Sequence, residues 1–230
     1  MPPGVVCDRC NNYFARKIEG PLLETEYFRH ARATMQVENK RKRVPPQFGV
    51  IPQLRMPADV WLDGQSITVQ PHDRSRDGEF ERFLLTNKGG SLWLPNPTQF
   101  DDRLMSRFLG KVAIEALAKR LSGTEGWREE MLSQEAMEPL RRYVRIGDQK
   151  ESWRFSRRRL YPQHQSFGSD KAPYQILHEF DFLYTRDCEL IFVLALFGEE
   201  FAINMGGSET ERYEEYLQES KGTSLLAPWH

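Results

Sequence analysis

The chain has 230 residues, 39% of them hydrophobic and 28% charged, with a formal net charge of -1. That length can bury a proper core in one domain, or in one domain plus a small appendage. The near-neutral balance speaks against the whole chain being a generic polyanion binder, the apolar runs are too short for a bilayer span, and three cysteines are too few for a disulfide framework. Met1-Pro2-Pro3-Gly4 has neither the basic nor the apolar region of a signal peptide, so the expected compartment is the cytoplasm, with no membrane partner. Charge is unevenly placed: Lys40-Arg41-Lys42-Arg43 and Arg157-Arg158-Arg159 are basic, and residues 209–219 are acid-rich. Such basic runs can hold a phosphate backbone or can simply be solvated faces.

In chain order, Cys7-Asp8-Arg9-Cys10 leads into a helix that Asn11 or Asn12 is expected to cap, since short polar side chains accept from free amides. Phe14 and Ile18 fall one turn apart, and Gly20-Pro21 should break or kink the run. A second helix carrying Leu23 and Tyr27 or Phe28 should end near Thr34, packing the knuckle onto the rest. Residues 37–58, basic then Pro-rich, read as a linker with at most short strands. Residues 59–70 alternate as a hairpin with a turn near Asp63-Gly64, and residues 79–86 read as another strand. Residues 101–121 carry a broad apolar stripe at helical spacing, and residues 126–144 a second helix that restarts at Pro139 and closes at Gly147. Trp153-Arg154-Phe155 opens a strand. Residues 175–184 and 189–197, joined by Thr185-Arg186-Asp187, read as an antiparallel hairpin whose second strand is buried. A short strand at 200–204 and a polar helix at 209–220 finish the chain. The expected fold class is α+β: a helical knuckle, a helix pair and an antiparallel sheet, divided as 1–36, a 37–58 linker and a 59–230 body.

The knuckle carries the chemistry. Cys-x-x-Cys spacing brings two thiolates to one side, within reach of a single tetrahedral zinc ion, but a structural site needs four ligands. Cys7 and Cys10 supply two, so half a zinc site and a pair of reduced, unligated thiols both stand as readings. Cys188 sits beside a sheet strand, and a helical His30 should point elsewhere. His72, His164 and His178 are minor candidates, and His178 next to Glu179 in a strand would place the two side chains on opposite faces. No Gly-x-Ser-x-Gly elbow, phosphate-binding glycine loop or dinucleotide fingerprint occurs.

Cys7-Asp8-Arg9-Cys10-Asn11-Asn12-Tyr13-Phe14, followed by Ile18-Glu19-Gly20-Pro21-Leu22-Leu23 and Arg29 or Arg32, resembles the second half of an HNH endonuclease domain of the subgroup with two Cys-x-x-Cys pairs. Later stretches, 111–118, 140–147 and 178–180, are similar to the regions C-terminal to the finger in that subgroup, though core packing explains them as well. The resemblance implies half of a ββα-metal, treble-clef-like finger with structural zinc on Cys7 and Cys10. It also implies a divalent ion such as Mg²⁺ at the scissile phosphate, with Asn11 in the position that helps hold it. Nucleic acid, DNA first, would be the partner, its backbone contacted by Arg9, Arg16, Lys17, Lys40, Arg41, Lys42 and Arg43, largely blind to sequence. The family's first cysteine pair and its Glu-His-x-x-Pro motif, whose histidine is the general base, do not precede this stretch, and six residues lie upstream of Cys7. Metal-assisted hydrolysis needs a bound cation and a positioned base. The expectation is therefore an HNH endonuclease that is truncated or degenerate in this chain. The alternative is a non-catalytic nucleic-acid- or protein-binding molecule with a vestigial knuckle, and a knuckle completed by a second copy in a homodimer is a further reading.

Overall fold

The computed structural model describes residues 6–226 except 64, 65, 88, 124, 125, 127–129, 132, 148–151, 163, 164, 170, 171 and 177. His164, Gly64 at the expected hairpin turn and much of the expected helix before Pro139 lie outside the described residues. The elements in chain order are α1 (Asp8–Phe14), a π-helical segment (Ala15–Glu19), α2 (Gly20–Leu23), α3 (Glu26–Thr34), β1 (Gln47–Ile51), β2 (Met56–Asp63), β3 (Ser66–Pro71) and α4 (Asp77–Thr86). They continue with α5 (Asp102–Arg120), α6 (Glu138–Ile146), β4 (Ser156–Arg159), β5 (Phe167–Ser169), β6 (Ala172–Tyr174), β7 (His178–Tyr184), β8 (Leu190–Leu196), β9 (Glu199–Asn204) and α7 (Glu211–Glu219). The class is α+β, as the residue patterns imply. Two compact units form, one from Met1–Leu22 with Asp101–His230 and one from Leu23–Phe100. They divide at 22/23 and 100/101, where the sequence suggested 36/37 and 58/59.

In the first unit, α1 begins earlier than the asparagines suggest. Cys7 is the N-cap, its sulfur accepting the Cys10 N–H at 3.4 Å, and Asn11 and Asn12 lie inside the helix. The break expected at Gly20-Pro21 does not occur. The Gly20 N–H reaches back to the Ala15 carbonyl in a widened turn, and a Cβ on Gly20 would lie 2.8 Å from that oxygen. The π turn lets the helical run continue with Pro21 in the first turn of α2, where its missing amide costs nothing. Phe14, Ile18 and Leu22, four residues apart, are the buried face of the run.

Helix α5 forms over the expected stretch, with Met105, Leu109, Ala113 and Leu117 on its buried face while Leu104, Phe108 and Val112 are half-buried. The Asp101 carboxylate caps it by accepting the Leu104 N–H at 2.8 Å. Helix α6 packs on α5 across Gly110, where a Cβ would lie 2.7 Å from Val144 Cγ2 and 2.9 Å from Leu140 Cδ1. The hydroxyls of Ser106 and Tyr143 meet at 2.5 Å inside this contact. Gly147, at φ +69°, ends α6 as expected.

The sheet of this unit is antiparallel throughout, in the order β4–β9–β8–β7. The β7–β8 hairpin forms with Thr185 to Glu189 as its connection, and β8 is buried along most of its length. Phe197 and Gly198, both at positive φ, make the tight β8–β9 turn. Ile191, Val193, Ala195 and Ala202 point to one face, where Tyr213 of α7 and Leu226 close over them. The opposite face carries Phe192, against which Phe180 and Phe182 pack. One strand starts later than expected: residues 153–155 are not strand, and the Trp153 indole donates instead to the Asn204 carbonyl at 2.9 Å. Strands β5 and β6 form a separate two-stranded ladder.

In the second unit the expected hairpin is present as β2–β3, but β1 joins it, so part of the Pro-rich stretch read as a linker is sheet. The 79–86 run, expected as a strand, is helix α4. Helical spacing puts Phe80 and Phe83 on one face, and both pack against the Ile51, Met56 and Ala58 cluster. Helix α3 belongs to this unit and lies on β1 and β2.

Candidate functional site

Because Cys7 caps α1 and Cys10 stands one turn on, both thiols face the same side of the helix, at spacings that continue to Phe14. They line a depression of about 240 Å³ with Val6, Phe14, Ile114 and Val144 as its apolar walls. Lys111, Glu115, Arg141 and Arg145 complete its lining. Backbone and side-chain hydrogen bonding with Cys10 holds the Cys7 thiol below the ordinary cysteine value. Asn11 is exposed on the same turn, its N–H bonded to the Cys7 carbonyl at 2.9 Å.

Below the thiols sits a buried ionic group. Lys111 Nζ lies 2.5 Å from Glu19 Oε1 and 2.8 Å from Glu115 Oε2, which ties α5 to the π segment. Burial holds the Glu115 carboxyl above the usual carboxylate range, and its Oε1 has no hydrogen-bond partner. Burial opposes the Lys111 charge, yet hydrogen bonds to Glu115 and Glu19 hold its ammonium above the ordinary lysine value.

Beside the depression, Tyr13 is gripped by two arginines. The Arg145 guanidinium lies 4.0 Å from the ring centroid, and Arg107 donates to the phenol oxygen at 2.9 Å. Arg107 is itself held by the Val144 carbonyl.

Among the described residues no group of three or more His, Cys, Asp or Glu side chains is placed to hold a metal ion. Cys7 and Cys10 thus offer two zinc ligands, and the described residues do not complete the set. Cys188 is exposed at the β7–β8 turn. His30 is engaged by the Gln47 amide at 2.5 Å. In the second unit, His72 Nδ1 lies 3.2 Å from both Asp59 oxygens, and Asp59 is 3.8 Å from Arg29. His178 is exposed at the start of β7.

Arg9, Arg16 and Lys17 are exposed on the helical run and form no ion pair with a described residue. Lys40, Arg41, Lys42 and Arg43 form an exposed turn in the second unit, closed by the Asn39 side chain, with Lys42 also 3.6 Å from Glu38. The second basic run has another job. Arg157 and Arg159 pair with Glu199, and Arg158 pairs with Glu200, so their charge is spent across the β4–β9 ladder. Sequence reading missed Tyr13, Arg107, Lys111, Glu115 and Arg145. The three basic residues Arg141, Arg142 and Arg145 on α6 were the available signal, but nothing local ties them to Tyr13.

Compared with protein-family models, with curated proteins and with solved structures, the chain matches none. No helix among the described residues is long and apolar enough to cross a membrane.

Proposed function

We propose that the chain is an HNH-lineage protein that acts on nucleic acid, with DNA the first substrate to examine. The observation that supports this reading is the convergence of Cys7 and Cys10 on the opening turn of α1 with Asn11 exposed beside them. That is the arrangement the motif's resemblance implies for the second half of the finger. Asn11 offers a neutral oxygen to a divalent cation, and Arg9, Arg16 and Lys17 offer charge to a phosphate backbone. Hydrolysis needs in addition a base, which the helical run does not carry. Zinc on Cys7 and Cys10 requires two further ligands, and a second copy of the chain supplies them in the dimeric form of this reading.

The test is nicking of supercoiled plasmid by the purified chain with Mg²⁺ or Mn²⁺, alongside metal analysis. Cleavage that disappears in Asn11→Ala supports an endonuclease. Intact plasmid with every divalent ion removes hydrolysis from the proposal. One zinc per two chains, with a dimer that a chelator dissociates, supports the shared knuckle. The second reading, a binding protein without catalysis, is favoured by the arginine pair around Tyr13, because a phosphate contact needs neither base nor metal.

A further inference from the structure

We infer that the face of the first unit formed by α1 and α6 is a contact surface for a phosphodiester backbone, with Arg145, held on Tyr13, as its central cation. The inference rests on the nucleic-acid reading above and names the surface that would carry it. Tyr13 lies in α1 with Arg9 one turn before it, and Arg16 comes about one turn after it. The Arg145 guanidinium stacks on the Tyr13 ring at 4.0 Å, and Arg107 fixes that ring by its hydroxyl at 2.9 Å. Tyr13 is a positioning residue: it orders a long, mobile side chain before any ligand arrives, which lowers the entropy lost on binding.

Charge decides what the surface takes. Arg9, Arg16, Arg107 and Arg145 form no ion pair with a described residue, whereas the arginines of β4 are all paired with Glu199 or Glu200. Three of the acidic groups nearby are paired with cations. Glu19 and Glu115 are held by Lys111, and Glu138 is held by Arg141. Asp8 lies in the first turn of α1, where the helix dipole favours a carboxylate. The rise from Arg9 to Arg16 is about 10 Å, enough for the two side chains to reach different phosphates of one strand. Planar guanidiniums in such a row suit phosphate oxygens and carry no base readout.

The test uses fluorescence anisotropy of a fluorescein-labelled 20-base-pair duplex titrated with the full chain between 50 and 200 mM NaCl. Arg145→Gln is expected to weaken binding about threefold to tenfold and to lower the salt slope by about one, while Arg145→Lys keeps the slope. The combined variant Arg9→Gln, Arg16→Gln and Arg145→Gln is expected to lower it by about three, with circular dichroism confirming the fold. If that combined variant binds like the wild type while alanines at Lys40, Arg41, Lys42 and Arg43 abolish binding, this surface is wrong and the nucleic-acid reading stands. Absence of any salt-dependent binding by the wild type overturns both. Displacement by polyglutamate as effective per charge as by unlabelled DNA also overturns the inference, since it would show a generic polyanion patch.

Discussion

Replacing Lys111 with methionine tests whether the ionic group under the knuckle holds the helical run in place. The ammonium is 8% exposed and lies 2.5 Å and 2.8 Å from carboxylates that are 31% and 16% exposed. Methionine fills similar space but leaves Glu115 buried with no cation, on a carboxylate that already has one unpartnered oxygen. Breaking a buried pair by removing one member costs about 3–5 kcal/mol. We expect about 3 kcal/mol here, the lower end, because Glu19 can recover water. The pH dependence comes from the direction of the Glu115 shift. Its carboxyl is raised above the ordinary value of 4.5 in the folded chain, so the folded state binds a proton more readily than the unfolded one. Removing the cation raises it further. The deficit is therefore full near pH 7.5 and shrinks as pH falls toward 4.5, where protonation discharges the orphaned carboxylate. Urea unfolding of wild type and variant at pH 7.5 and pH 5 measures both quantities. A deficit under about 1 kcal/mol at pH 7.5, or one that is the same at pH 5, refutes the reasoning. Adding Glu115→Leu should return most of the loss, since an apolar replacement of the pair leaves no buried charge.

Glu200 is 1% exposed and accepts from Arg158, from the Tyr213 hydroxyl at 2.6 Å and from Ser224. Glu200→Ala strands these donors and should cost about 3–5 kcal/mol, seen as a fall in Tm of roughly 10 °C by calorimetry. A change of under 2 °C would show that the β4–β9–α7 network is not the anchor described. Burial lowers the His30 pKa below 6.5, and its Nδ1 accepts from Gln47 only when unprotonated. Because the folded value is depressed, stability is fully present above pH 6.5 and is lost as pH falls through and below it. His30→Gln should flatten the decline of Tm between pH 7 and pH 5.5, and an unchanged decline would assign it to other groups.

The helical period of α5, the Phe14–Ile18 spacing, the β7–β8 hairpin and the Gly147 stop are legible because each is written in neighbouring residues, whereas the continuation of the first run through Gly20-Pro21 is not. Side-chain period, caps and turn glycines act over a few positions, so no distant partner is needed to read them. The 79–86 run, read as a strand, is a helix: Phe80, Phe83 and Leu84 recur at helical spacing, and that period outweighs the run's β-forming residues. Packing of both half-buried phenylalanines on the Ile51, Met56 and Ala58 cluster favours the helix. Asparagine is the commoner N-cap and points to Asn11 or Asn12, yet the sulfur of Cys7 is placed to accept the Cys10 N–H and starts the helix earlier.

Two basic runs look alike in the chain, and the fold separates them by partner: Arg157, Arg158 and Arg159 face Glu199 and Glu200 across a ladder, and residues 40–43 face solvent. For the candidate site, the sequence determined Cys7, Cys10 and Asn11 as a unit, because one helical turn fixes their spacing. Only the tertiary structure brought Lys111, Glu115 and Arg145 to that unit, since α5 and α6 reach it through contacts between residues about a hundred positions apart. Local sequence sets which elements form. Which charges neutralise one another, and which stay free to meet a ligand, is decided by what packing places beside them.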